Sequence, residues 1–242
     1  MTDLQWNAFI QFRMSYKKLC DNWNNLYSES LKPLQKAASE KDTPVYSLEN
    51  AVVYNTAFDA VQKEDDIKLI LVGDNPGKKE QLTINRKYLV GQSGKLAEGF
   101  FLRNPELGID FRKNVLIMNK TPVHTAKTKH LSYLKKNGEK SIQDLIEISQ
   151  KECACLTALL QKRIGCPLWL VGYAELKDKG LFTLYRDTLL SSMDRENLFV
   201  YQHFSMNCFT KDLKKWKEEH KQDSLQKCLL NLGKKHRDEI FL

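Results

Sequence analysis

Residues able to do chemistry gather in four short stretches of this chain. The first, Gly73-Asp74-Asn75-Pro76-Gly77-Lys78-Lys79-Glu80, sets a carboxylate and a carboxamide before a Pro-Gly turn. Asp74 or Asn75 can hold a water there, and the turn lets backbone amides come close to a ligand. Taken alone the stretch reads as a plain turn, since Asp, Asn, Pro and Gly are the commonest turn residues. The second stretch, Tyr88-Leu89-Val90-Gly91-Gln92-Ser93-Gly94-Lys95, precedes a helical pattern through Leu96, Phe100 and Phe101. Small residues at a helix start expose amides that bind anions. A Walker phosphate loop is excluded, because its glycines bracket only Gln92 and Ser93 and Leu96 follows Lys95 where Ser or Thr is required. The third stretch ends in Asn119, with Thr121, Pro122 and His124 beyond it. A side-chain amide offers donor and acceptor together, the equipment for reading a base edge. The fourth, His203-Phe204-Ser205-Met206-Asn207, carries an imidazole able to donate to a developing oxyanion.

Each stretch follows or flanks an apolar run. Lys68–Gly73 (KLILVG), Asn114–Asn119 (NVLIMN), Pro167–Gly172 (PLWLVG) and Leu198–His203 (LFVYQH) have the length and continuity of strands buried on both faces. Helix-like material separates them, notably 141–163. That alternation predicts an α/β fold, a three-layer α/β/α sandwich around a central four-stranded, mostly parallel sheet. Ligands of such sheets bind outside the carboxyl ends of the strands, where the polar stretches lie. Ahead of the sheet, residues 4–27 place apolar side chains at helical steps of three and four, and Thr2 with Gln5 makes a capping box. Prolines at 33 and 44 bracket an aperiodic segment that predicts a connection over 32–44. The chain is expected to form one domain over 1–242, with 1–50 as a helical extension packed on it.

Composition narrows the class. Hydrophobic residues at 42% supply a core, which excludes a disordered or collagen-like chain. No apolar run approaches the roughly 20 residues that span a bilayer, so no membrane partner is expected. The start lacks a basic n-region and a small-residue cleavage site, and six cysteines (20, 153, 155, 166, 208, 228) are scattered without a framework. Reduced thiols in a cytoplasmic protein are the expectation. Cys153, Cys155 and Cys166 lack an evident fourth ligand for zinc, so no metal is expected. The net charge of +8 suits a polyanionic partner as well as it suits simple solubility.

In this order the four stretches resemble the uracil-DNA glycosylase superfamily. The segment 73–80 looks like the G-E-A-P-G-x-x-E motif of its thermophilic-type branch, matching at Gly73, Pro76, Gly77 and Glu80. Segment 88–95 is similar to that branch's P-F-V-G-x-A/S-G-K, VLIMN at 115–119 to the strand ending in the uracil-reading Asn, and HFSMN at 203–207 to H-P-S-P with its wedge. The likeness covers roughly 65–217. It implies a DNA-repair hydrolase of the base excision type, monofunctional and monomeric, acting on DNA with no cofactor. A flipped uracil or related deaminated base would be cut from C1′ by water. Asp74, as a water-positioning or cation-stabilising carboxylate, or Asn75, or the two together would serve that water, and His203 would support charge on the leaving base. Gly73, Pro76, Gly77, Tyr88, Leu89 and Asn119 would line the base site. Gly91, Ser93, Gly94, Lys95, Ser205 and Asn207 would meet the DNA, with Asn207 as wedge. The resemblance supplies no lysine nucleophile, which implies an intact abasic product.

The chain also departs from the family. Leu89 replaces the stacking Phe, leaving an aromatic lid to Tyr88 or elsewhere, and Phe204 and Met206 replace the two prolines of H-P-S-P. The branch's iron–sulfur cysteine set is missing, because only Cys20 precedes the first motif. These departures sustain an alternative, a non-catalytic nucleic-acid-binding member of the same fold. Lysines at 127, 129, 135, 136, 211, 214, 215 and 217, with His130, would line a DNA groove.

Overall fold

The four apolar runs form the strands β1 (Leu69–Gly73), β2 (Val115–Asn119), β3 (Leu168–Val171) and β4 (Leu198–Tyr201) of a computed structural model that describes residues 1–193 and 195–241. Every strand residue is buried, as continuous apolar runs require when helices cover both faces of a sheet. The strand order is β2-β1-β3-β4, and every neighbouring pair is parallel. Register pairs Gly73 with Asn119, Val72 with Leu170 and Val171 with Tyr201. All four carboxyl ends therefore finish along one edge.

Eight helices surround the sheet among the described residues: α1 (Asp3–Ser39), α2 (Ala57–Ala60), α3 (Gln92–Arg103), α4 (His130–Asn137), α5 (Lys140–Ile164), α6 (Thr183–Ser192), α7 (Cys208–Glu219) and α8 (Leu225–Phe241). Right-handed crossovers put the β1–β2 helix α3 on one face, and α4, α5 and α6 on the other. Contacts agree: α5 packs on α6, α1 and α4, while α8 packs on β4 and on α7. The ring of Phe100 in α3 meets that of Phe209 in α7, with centroids 4.9 Å apart. This is the three-layer sandwich.

Helix α1 begins with the capping box, Thr2 Oγ1 accepting from the Gln5 amide and Gln5 Oε1 from that of Thr2. It buries Phe9, Phe12, Tyr16, Cys20 and Trp23, while Leu4 and Leu26 of the same pattern face solvent. The expected connection over 32–44 is corrected, because α1 runs through Pro33 to Ser39. Proline removes one helical hydrogen bond, and the last turns are held by tertiary contacts instead. Leu31 and Ala38 are buried, and Gln35 Nε2 donates to the carbonyls of Ala51 (2.9 Å) and His124 (2.8 Å). No helix among the described residues is long and apolar enough to cross a membrane.

Candidate active site

From β1 the chain crosses to β2 on one side, and from β3 to β4 on the other. Loops after β1 and β3 therefore diverge and open the crevice in which parallel sheets bind ligands. Asp74 follows β1 at this crevice, and Gly172 follows β3 with φ of 96°. A side chain at Gly172 would be strained and would also collide with Asp74, since its Cβ would lie 2.3 Å from Oδ1. Lys120, which follows β2, reaches across β1 to fill the crevice. Its fully buried Nζ donates to Asp74 Oδ1 (2.6 Å), to the Val171 carbonyl (2.5 Å) and to the Gly73 carbonyl (3.4 Å). The Phe182 ring lies 5.0 Å from the same ammonium. Burial pulls the Lys120 pKa down, and the Asp74 charge opposes that pull. The other carboxylate oxygen, Oδ2, accepts a 3.3 Å bond from the Thr128 hydroxyl. Lys120 is the residue at this crevice that sequence reasoning missed. Its one signal was a lysine directly after an apolar run, a poor place for a charge unless it is paired.

Asn119 ends β2 beside Gly73 and is buried. A Cβ on Gly73 would come 2.6 Å from Asn119 Oδ1, so the glycine makes room for the amide. Asn119 Nδ2 is buried with no hydrogen-bond partner in the protein. An orphaned amide donor costs about 1–3 kcal/mol, so its retention at a strand's carboxyl end suits a ligand that completes it.

His203 lies two residues beyond β4. Its Nδ1 accepts from the Ser205 amide (3.1 Å) and meets the Ser205 hydroxyl at 2.8 Å. That leaves the proton on Nε2, in the neutral tautomer. Burial lowers the His203 pKa; Asp74 raises it and Lys120 lowers it, so both charges are close enough to act on the ring.

The second stretch is fastened to the first by Glu80. Its buried carboxylate accepts from the Gly77 amide and faces the backbone amides of Leu89, Val90 and Gly91, which lower its pKa while desolvation, the larger effect, raises it. Gly91 caps α3 without a side-chain bond, which leaves first-turn amides beside Ser93 and Lys95 for an anion. Gly94 has no alternative: a Cβ there would overlap the Leu89 carbonyl oxygen at 1.5 Å. Leu89 itself is left-handed at φ 52°. Helix α3 also contacts the 205–207 turn, so the four stretches meet at one edge of the sheet.

Several expectations are corrected. Tyr88 faces away from the edge: its hydroxyl donates to the Val53 carbonyl (2.5 Å) and meets the Tyr16 hydroxyl at 2.7 Å, so it cannot be the lid. The Asn75 Nδ2 is spent on Thr125 Oγ1 (2.8 Å) and the Val123 carbonyl (3.2 Å), which braces the loop and leaves only Oδ1 to meet a water. His124 braces it too, its Nδ1–H donating to the Pro76 carbonyl at 2.8 Å. At the 205–207 turn both Met206 and Asn207 are left-handed and exposed, and Met206 is the apolar tip at 80% exposure. The basic patch at 127–130 is partly offset, because Lys127, Lys129 and His130 all bond to Asp42, a single carboxylate against two lysines. Lys135 pairs with Glu147 at 2.7 Å. On α7, Lys211, Lys215 and Lys217 stay exposed, and Lys214 has only a 3.9 Å contact with Glu218.

The six cysteines are free, and among the described residues no three His, Cys, Asp or Glu side chains gather where they could hold a metal. Compared with known proteins, the chain matches no family model, no curated protein and no solved structure.

Proposed function

We propose that this chain is a monofunctional DNA glycosylase of the cytoplasm that hydrolyses the N-glycosidic bond of uracil or a related deaminated base. The observation that supports it most is the pairing of the unpartnered Asn119 amide with a carboxylate and a neutral imidazole at one switch-point edge. Asn119 would read the flipped base, rejecting cytosine because its exocyclic amine leaves the amide donor facing a donor. Asp74 Oδ2 would hold the attacking water and stabilise the sugar cation. The Nε2–H of His203 would donate to the base as negative charge builds, a role that needs no net charge on the ring. The α3 amides and Ser205 would grip phosphates, with Met206 filling the vacated stack in place of the expected Asn207.

The test is release of uracil from single-stranded and duplex oligonucleotides, followed by alkali. Strand scission is expected after alkali only, with a loss on the order of 100-fold or more for His203→Ala and Asp74→Asn. Asn119→Asp should move preference toward cytosine. No release from uracil, hypoxanthine or xanthine substrates would leave the second reading, a non-catalytic DNA binder. That reading draws on Asn75 Nδ2 and Asp74 Oδ1 being committed inside the protein. It requires salt-sensitive DNA binding that survives Ala at 74, 75 and 203.

A further inference from the structure

A cavity of about 560 Å³ lies on the far side of the Tyr88–Val90 segment, against the edge strand β2 and toward its amino end. Ligand pockets run about 300–1,000 Å³, are mostly apolar and carry few polar groups. Phe58, Val61, Val90, Val115 and Ile117 give this one an apolar body. Its polar side chains are of two kinds. Asn55 and Tyr88 line it but are spent inside the protein, Asn55 on Ile117, Ala57 and Tyr88, and the Tyr88 hydroxyl on Val53 and Tyr16. A nucleobase or sugar would find no side-chain partner at either. Lys87, Arg112 and Lys113 are the cations of the lining, against one acid, Asp65, whose carboxylate accepts from the Gln62 amide at 2.9 Å. Lys87 and Lys113 are exposed, and Lys113 has only a 3.9 Å contact with Asp110. Arg112 is held by Glu98 and by the Leu89 carbonyl.

We propose that this cavity binds an amphipathic organic anion, a hydrocarbon body seated on the apolar wall with a single acidic head on Lys87 and Lys113. The site is separate from the carboxyl edge and does not depend on the glycosylase reading. An aliphatic and an aromatic acid share this chemistry, and the experiment separates them.

The purified full chain is titrated with anilinonaphthalene sulfonate and followed by fluorescence. The dye is then displaced with decanoate, with 2-naphthoate and with decanol. One saturable site is expected, with displacement by at least one acid and none by decanol at equal concentration. The stronger of decanoate and naphthoate identifies the body. Lys87→Glu with Lys113→Glu, both at exposed positions, should weaken binding tenfold or more, and Val61→Trp should abolish it by filling the wall. Circular dichroism confirms that each variant is folded. Absence of a saturable site, equal displacement by decanol, or affinity unchanged in both variants would overturn the proposal.

Discussion

Two carboxylate–cation pairs in this molecule are built to different standards. At the carboxyl edge, Lys120 and Asp74 meet at 2.6 Å with side-chain exposures of 0% and 8%, and two backbone carbonyls complete the ammonium. Between α7 and α8, His236 and Asp212 stand 3.6 Å apart with exposures of 7% and 27%. There Asp212 Oδ2 and the indole nitrogen of nearby Trp216 have no hydrogen-bond partner. Burial raises the Asp212 pKa and lowers that of His236, pushing both toward neutrality, with each partner's charge acting against that push. Burial likewise lowers the Lys120 pKa, so the two pairs differ in their bonding: the Lys120 ammonium has three oxygen acceptors, whereas Asp212 Oδ2 has no hydrogen bond. Both tighter bonding and deeper burial of the carboxylate separate the first pair from the second.

The largest expected effect comes from breaking the tight pair. Lys120→Met leaves Asp74 buried without its cation and should cost about 3–5 kcal/mol in urea unfolding. Lys120→Met with Asp74→Asn should recover a good part of that loss by removing the stranded charge. A cost of under about 1 kcal/mol for the single variant would erase the contrast between the two regions.

Next in size is a pH effect at the same edge. Burial pulls His124 down to about 4, while the unfolded chain titrates at about 6.5. Its Nε2 meets the Tyr46 hydroxyl at 3.0 Å, in the neutral form that also serves the Pro76 carbonyl. As pH falls below about 6.5 the unfolded chain takes the proton first, so stability is lost down to about pH 4, by about 3 kcal/mol from this residue. His203 and His236, also lowered by burial, act in the same direction. Denaturation midpoints between pH 7 and 4 measure the slope, and His124→Gln should flatten it. A wild-type profile that is flat over that window contradicts a neutral, buried His124.

The smallest effect belongs to the loose pair. Asp212→Asn should change stability by less than about 1 kcal/mol, since a 3.6 Å contact with a partly exposed carboxylate contributes little. A cost near that of Lys120→Met in the same unfolding assay would show the two pairs to be equivalent.

Much of the frame was legible in the residue order. Four uninterrupted apolar runs became four strands within a residue or two of the expected bounds, because burial on both faces leaves no room for polar interruption. Helix 141–163 was visible through its stripe and extends by one residue at each end. Pro33 misled, because the contacts that carry the helix past it come from Ala51 and His124. The direction of Tyr88 was not legible either: a loop has no period, and its partners Tyr16 and Val53 are remote in sequence. The tie that holds the patch at 127–130 was not legible, because Asp42, which offsets part of its charge, lies more than 80 residues away.

By itself the sequence determined the layered α/β class and the chemical character of the strand ends, since both follow from local composition and period. Tertiary structure alone decided which ends share a crevice. Only the order β2-β1-β3-β4 sets β1 beside β3 and lets Lys120 reach from β2 across to Asp74 and Val171. In a low-dielectric interior a polar group's behaviour depends on its neighbours in space, and sheet order assigns those neighbours from segments far apart in the chain.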